Sequence, residues 1–255
     1  MPSTRFNGEL VTLKADVPPA DGRRLTELAD SFLVEVSRKL DAEPPSPTVY
    51  VFGRRRDLRR FLRLNSPAFA RRTGACFVTE DGNIIIALRA SRGGKPALDS
   101  LRHELTHAVI AANFVRPMPW LDEGLAQCLE EGMPPGEPAG VLDALAAMND
   151  IEDRVLRVVS ITEHAGLTTT DYRVAWGLTW FLIQDGGYGW QAIRRCLEPP
   201  EFGETPAQRL ARGLGLGPEP IARSFKMFLQ RRREHSLGDS STDLGFHVLA
   251  LACDM

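Results

Sequence analysis

The sequence contains few of the residues that carry covalent or redox chemistry, and this narrows the class of protein. Its 255 residues include only four cysteines, three tyrosines and five histidines. The cysteines (Cys76, Cys128, Cys196 and Cys253) are far apart and form no CxxC pair, which excludes a zinc ribbon and a dense disulfide framework. We therefore expect free thiols in a reducing compartment.

Long apolar runs and a signal-like start are also missing. No stretch approaches the roughly 20 apolar residues that a membrane-spanning helix needs. The N-terminal segment MPSTRFNGELVTLKADVPP has no apolar centre of signal-peptide length. These absences predict a cytoplasmic protein with no membrane span, and leave open a secreted protein whose precursor has been trimmed.

Neither sign of charge is in excess. The 31 basic and 33 acidic residues are intermixed and give a formal net charge of -2, which provides no positive field suited to nucleic acid. Two basic stretches, at Arg54–Arg60 and Arg231–Arg233, fall in or beside helical patterns whose exposed side must be polar. We interpret them as solvated helix faces in preference to phosphate-binding sites, so no nucleic-acid partner is expected.

Hydrophobic periodicity predicts a mixed α+β fold. Apolar residues at helical spacing between Leu25 and Leu40 predict an amphipathic helix. The β-branched and aromatic run Thr48–Phe52 predicts a strand, and Asp81-Gly82 between two apolar runs predicts a hairpin. Further expected elements are a strand at 9–14, a basic helix near 57–64, and helices at about 100–112, 121–130, 141–148, 171–184, 188–197, 206–213 and 219–233.

These elements suggest one domain over residues 1–235. It would have an N-terminal α/β lobe with a small mixed sheet at about 1–115 and a mainly helical lobe at about 116–235. A glycine-containing loop at Ser91–Pro96 is expected to precede the helix that ends near 112, with Asp99 or Ser100 as its N-cap. Residues 236–255 show no clear periodicity and are expected to form a tail.

The motif His103-Glu104-Leu105-Thr106-His107 carries the chemistry. Two histidines four positions apart on a helix project from one face and can bind the same metal ion. Glu104 follows the first histidine, on the side where a bound water would lie, and can accept that water's proton. Because this spacing is improbable by chance among five histidines, it predicts a catalytic zinc ion held by His103 and His107, with Glu104 as general base.

A catalytic zinc ion takes three protein ligands and leaves a position for water and substrate, so a third ligand is needed. The metzincin pattern would place a histidine six residues beyond His107, but that residue is Asn113, which excludes this class. Glu123 is the natural candidate, because the proline-containing turn at 116–119 can fold the next helix back against the first.

Other acidic residues lie close to Glu123 in the sequence. Asp122 is the competing oxygen ligand, although a helix-N-terminal charge or a partner of a histidine is the favoured role for it. Glu130 and Glu131 lie about two turns further on and are expected to face solvent.

The segment LRHELTHAVI, followed by PMPWLDEGLAQCLE, resembles the gluzincin branch of the zinc metallopeptidases. The bacterial peptidase-MA-like families, in which HELTH precedes a WLxEGLA segment, are particularly similar, and the resemblance extends over about residues 48–185. It implies a zincin-like catalytic domain that hydrolyses peptide bonds in a peptide or protein substrate. It also implies one Zn2+ ion held by His103, His107 and Glu123, with Glu104 as the base.

The resemblance further implies a donor that stabilises the oxyanion of the tetrahedral intermediate, often a tyrosine or histidine downstream of the third ligand. Tyr172 matches the position where similar families carry a tyrosine, and an ordinary packing role in its helix is the alternative. His164, a few residues earlier in an expected loop, is the second candidate.

Two other functions stay open at this point. One is a zincin-like metal-binding regulatory or interaction module without proteolysis, against which the intact Glu104 argues. The other is an amide hydrolase that applies the same water activation to a non-peptide bond. If the histidines are incidental, the protein should bind no stoichiometric zinc.

Overall fold

The computed structural model describes residues 1–90, 98–184 and 188–246. Within these ranges the chain forms five strands and ten α-helices, so the predicted α+β class is confirmed. The strands are β1 (Thr4–Asn7), β2 (Thr12–Ala15), β3 (Thr48–Phe52), β4 (Gly74–Val78) and β5 (Ile84–Arg89). The helices are α1 (Pro19–Leu40), α2 (Arg55–Asn65), α3 (Leu98–Asn113), α4 (Pro119–Leu129), α5 (Ala139–Ala146), α6 (Ile151–Ser160), α7 (Thr169–Ile183), α8 (Gly189–Leu197), α9 (Pro206–Leu214) and α10 (Pro218–Phe246).

The five strands form one mixed sheet in the order β1-β2-β3-β5-β4. The three inner strands are parallel to one another, whereas β1 and β4 run antiparallel at the two edges. The predicted hairpin joins β4 to β5, and its tight turn uses Gly82 with a φ of 78°, a conformation that favours glycine. β4 is the last strand of the sheet and pairs with β5. The next described element after β5 in the chain is α3.

The strand predicted at residues 9–14 is shorter in the structure, where β2 spans Thr12–Ala15. The carboxylate of Asp30 on α1 accepts hydrogen bonds from the backbone N–H groups of Glu9, Leu10 and Val11 at 2.7, 3.1 and 2.8 Å. These bonds hold the residues before Thr12 in a turn between β1 and β2.

Several helix boundaries also differ from the prediction. α3 begins at Leu98, so Asp99 and Ser100 lie in its first turn and do not cap it. The predicted loop at 91–96 lies outside the described residues. α10 continues beyond the predicted end at 233 to Phe246, and residues 247–255 of the predicted tail are outside the described residues.

The helix α6 has no counterpart among the predicted elements. Its buried residues Ile151, Val155, Val158 and Val159 are all β-branched, and such residues have low intrinsic helix propensity. α6 packs against α7 and α10, so burial of this apolar face stabilises a helix that propensity alone disfavours.

The helix α3 lies at the centre of the fold. It packs against α1 and α4 and against β4 and β5 at one end of the sheet, with Leu101, Leu105, Ala108 and Val109 buried. α4 in turn packs closely on α7. These contacts place one face of α3 between the sheet edge and the helices that follow it.

The described cysteines, Cys76, Cys128 and Cys196, are free thiols, as predicted, and burial raises the pKa of each. Cys253 lies outside the described residues. None of the helices described has both the length and the apolar character needed to cross a membrane.

Candidate metal centre

Three side chains from two helices converge in one cavity. His103 and His107 are on α3, and Glu123 is on α4. The Nε2 atoms of the two histidines are 3.2 Å apart, and Glu123 Oε2 lies 3.7 Å from that of His103 and 3.8 Å from that of His107. Sequence reasoning named these residues, and the structure brings them together.

The triangle formed by these atoms has the dimensions of a zinc site. The point equidistant from its three corners lies about 2.1 Å from each, and bonds from zinc to histidine nitrogen or carboxylate oxygen are about 2.0–2.2 Å. Two imidazoles and one carboxylate form a donor set known from catalytic zinc. Among the described residues, no fourth His, Cys, Asp or Glu joins this group. The residues present therefore fit a zinc ion with an open coordination position.

The outer nitrogen of each histidine is bound by a carboxylate. His103 Nδ1 lies 2.7 Å from Glu130 Oε1, and His107 Nδ1 lies 2.7 Å from Asp122 Oδ1. Such bonds fix the orientation of an imidazole ring and direct its other nitrogen toward the metal. Asp122 thus contacts a histidine, which is the role favoured for it from the sequence.

The prediction that Glu130 faces solvent is wrong. Glu130 is half-buried and contacts His103, whereas Glu131 is exposed as predicted. A sequence signal existed, because residues seven apart lie on the same face of a helix, and Glu130 follows Glu123 by seven.

A third histidine extends the hydrogen-bonded group. His164 Nε2 lies 2.9 Å from Asp122 Oδ2, so Asp122 connects His107 to His164. His164 is in a short 3-10 turn (His164–Gly166), its side chain is 42% exposed, and it lines the cavity. Tyr172 on α7 is half-buried and is not among the described residues that line the cavity. Of the two predicted oxyanion donors, the structure therefore brings His164 to the site.

Glu104 lines the same cavity and is only 8% exposed. A Cβ atom at Gly74 on β4 would lie 2.6 Å from Glu104 Oε1, so glycine leaves the room that this carboxylate occupies. Burial raises the pKa of Glu104, and the neighbouring imidazoles of His107 and His103 partly oppose the increase.

His107 and Asp122 shift each other's pKa values. Burial lowers the pKa of His107, but the charge and hydrogen bond of Asp122 outweigh burial and raise this pKa to about 10. Burial raises the pKa of Asp122, yet the two histidines outweigh it and hold the pKa well below its ordinary value. Since histidine binds metals in its neutral form, a metal ion at this site competes with the proton that the raised pKa of His107 favours.

The cavity has a volume of about 270 Å³ and walls of mixed chemistry. Residues 74–77 of the edge strand β4 form one wall. Phe69 and Phe77 contribute aromatic surface, Ile110 and Pro117 contribute aliphatic surface, and Arg72 contributes a positive charge. The predicted metal and base residues therefore line a recess bordered by a strand edge, an apolar surface and a cation.

No protein-family model matches this chain, and no curated protein matches its sequence. The gluzincin resemblance therefore stays a prediction based on the motif residues, and the functional argument depends on the geometry of the site.

Proposed function

We propose that this protein is a zinc-dependent peptidase with a zincin-like fold, in which His103, His107 and Glu123 hold the metal. The observation that carries the proposal is the triangle of their donor atoms, with edges of 3.2, 3.7 and 3.8 Å, beside the buried carboxylate of Glu104. Three protein donors are the number that a catalytic zinc ion takes, whereas a structural ion takes four.

The surrounding side chains fit the roles that hydrolysis requires. A bound zinc ion lowers the pKa of a coordinated water to about 7 and polarises the substrate carbonyl. Glu104 accepts the proton of the attacking water and delivers it to the leaving amine. Asp122 and Glu130 keep the histidine rings oriented through Nδ1. As an imidazolium, which carries hydrogens on both ring nitrogens, His164 donates from Nε2 to Asp122 and can donate from Nδ1 to the developing oxyanion, the role predicted for Tyr172.

The edge strand β4 favours a peptide over a non-peptide amide as the substrate. Among the described strands β4 pairs with β5 alone, and its residues 74–77 line the cavity. An extended peptide can pair its main-chain groups with the unpaired side of such a strand. A small amide without a peptide backbone lacks the repeating donors and acceptors for this pairing.

Metal analysis and cleavage assays on the same variants test the proposal. The wild type should carry one zinc ion per chain and cleave casein or members of a peptide library. Glu104→Gln should keep its zinc and lose about 10²–10⁴-fold in rate, because the base is absent. His107→Ala and Glu123→Ala should lose both zinc and activity. Glu27→Gln, which changes an exposed carboxylate on α1, is the matched control and should behave as wild type.

The other outcomes separate the competing interpretations. A wild type without stoichiometric zinc, or ligand variants with unchanged zinc content, would contradict the proposed metal site. Stoichiometric zinc without cleavage of any peptide would favour a metal-binding regulatory module. If Glu123→Ala retains full zinc and Asp122→Ala loses it, Asp122 is the third ligand.

A further inference from the structure

An arginine-rich surface adjoins the catalytic cavity. We call it the basic face; its members are Arg54, Arg55, Arg56, Arg59, Arg60, Arg63, Arg71 and Arg72. All of them are exposed except Arg59, which is half-buried. Asp57 is the single acidic residue between 54 and 72, so this segment carries a formal charge of +7 in a chain whose net charge is -2. The remainder of the chain therefore carries -9.

The basic face differs from an ordinary solvated helix face of the same chain. The helix α1 carries four basic and four acidic residues, whereas α2 carries five arginines and one aspartate. Within the described ranges, the ion pairs of the basic face are limited to Arg56 with the adjacent Asp57, at 3.5 Å. Most of the positive charge is therefore uncompensated and available to a partner.

A second cavity lies beside the basic face and shares one lining residue with the catalytic cavity. This groove, of about 460 Å³, lies between α2 and the sheet, and Tyr50, Phe61 and Leu64 line it together with the charged residues Arg60 and Asp57. Phe77 on β4 lines both the groove and the catalytic cavity, so the two cavities meet at this residue of the edge strand. Arg72 lines the catalytic cavity. The basic face thus contributes an arginine to each recess.

We propose that the basic face binds an acidic segment of the polypeptide substrate and guides the adjoining residues into the catalytic cavity. The substrate class rests on the proposed peptidase function, whereas the binding itself does not. Guanidinium groups form strong, directional pairs with carboxylates. Charges of one sign around a cleft also raise the local concentration and the association rate of an oppositely charged substrate.

The groove favours a polypeptide over other polyanions. Its lining combines aromatic and aliphatic side chains with Arg60, and it reaches Phe77 on the edge strand β4. A polypeptide offers apolar side chains, carboxylates and a main chain that can pair with a strand edge. A phosphate backbone offers charge but not this strand pairing.

Binding and cleavage of matched peptides test the inference. Two labelled peptides share one cleavable sequence and differ in a tail of four glutamates or four glutamines. Fluorescence anisotropy with the full-length Glu104→Gln protein measures binding without turnover, and kcat/KM is measured with the wild type. The glutamate tail should improve both quantities about tenfold at low salt, and the gain should disappear at high ionic strength.

Charge-matched variants locate the effect. Arg56→Gln/Arg60→Gln/Arg63→Gln should abolish the advantage of the glutamate tail, because it removes three charges from the basic face. The triple lysine variant at these positions keeps the charge and should retain most of the advantage. The control Arg23→Gln/Arg24→Gln/Arg38→Gln removes three exposed charges from α1 and should retain the advantage in full. Melting temperatures verify that each variant is folded.

Several results would overturn the inference. One is the absence of any advantage for the glutamate tail in the wild type, and another is an α1 control that loses the advantage as fully as the basic-face variant. A DNA oligonucleotide or vesicles with anionic lipid could also compete with the peptide. If either displaces it at concentrations below the dissociation constant of the peptide, the basic face binds that partner instead. Tail-dependent binding without any cleavage would support the basic face and refute the peptidase. Cleavage that does not depend on the tail would support the peptidase function and refute the role of the basic face.

Discussion

Replacing Gly74 by alanine tests whether the carboxylate of Glu104 must stay against β4. The added Cβ would lie 2.6 Å from Glu104 Oε1, whereas ordinary contacts begin near 3.4 Å, so the carboxylate must move by about 0.8 Å. β4 itself is held by its pairing with β5, where Gly74 is opposite Leu88. A displacement of about 1 Å at a catalytic group can cost about 10²-fold in rate, or about 2.7 kcal/mol of activation free energy.

We therefore expect kcat/KM of Gly74→Ala to fall about 100-fold, with full zinc content and a nearly unchanged melting temperature. The ligands lie on other elements, and the backbone of Gly74 is not in the left-handed region, so alanine fits the strand. Peptide cleavage, metal analysis and thermal melting are measured on the same preparation.

The matched control is Gly53→Ala in the same part of the chain. An added Cβ at Gly53 meets nothing within 4 Å, so this variant should have wild-type kcat/KM. Wild-type kcat/KM in Gly74→Ala would refute the role of a positioned Glu104. If Gly74→Ala loses zinc together with its activity, the change disturbs the metal ligands as well as Glu104, and the prediction is wrong.

Three further changes probe the rest of the fold. Glu130→Gln removes the carboxylate on His103 Nδ1 and should weaken zinc binding about 10–100-fold, measured by competition with a chelator. Burial raises the pKa of Asp171, but hydrogen bonds of its capping box and its ion pair with Arg157 outweigh burial and lower this pKa. The stability that the ionised Asp171 carboxylate gives to the fold is therefore complete above about pH 4 and is lost as the pH falls through the lowered pKa. We expect Asp171→Asn to reduce the melting temperature at about pH 7 and to reduce it much less at about pH 2. Gly124→Ala should destabilise the protein by about 1–3 kcal/mol in denaturant unfolding and reduce zinc content, because its Cβ would lie 2.6 Å from a backbone oxygen of α7.

Controls for these changes are residues of the same type elsewhere in the helical part of the chain. Glu131→Gln alters an exposed neighbour of Glu130 and should leave zinc affinity unchanged. Asp153→Asn on α6 is exposed and should not alter the pH dependence of melting. Gly140→Ala adds a Cβ with nothing within 4 Å and should retain stability and zinc. Equal effects in a variant and its control would contradict the mechanism given for that variant.

Local patterns were sufficient for many elements of the fold. The periodicity of α1, the β-branched run of β3 and the Asp81-Gly82 turn are each determined by neighbours in the sequence, and each appears where expected. The extent of β2 was not predictable in this way, because the Asp30 carboxylate on another element ends it. α6 was missed because burial against other helices, and not propensity, stabilises it.

The candidate site shows the same division. The proximity of His103 and His107 follows from helical spacing, because residues four apart share a face. The contacts of His164 with Asp122 and of Glu104 with Gly74 join elements far apart in the sequence, so no local pattern indicates them. The resemblance predicts Tyr172 before His164, whereas packing brings His164 to the lining of the cavity.

The helix α3 cannot form the proposed zinc site alone, because its HExxH motif supplies only two of the three donors. The third proposed donor, Glu123, is on α4, and Gly124 permits the close approach of α4 to α7 because any Cβ there would meet the Thr179 hydroxyl. The proposed base, Glu104, lies instead against the edge of the sheet at Gly74. Ligand geometry and base position are therefore set by separate packing contacts. Damage to the α4–α7 contact should reduce zinc content, whereas damage at β4 should reduce the rate with zinc retained.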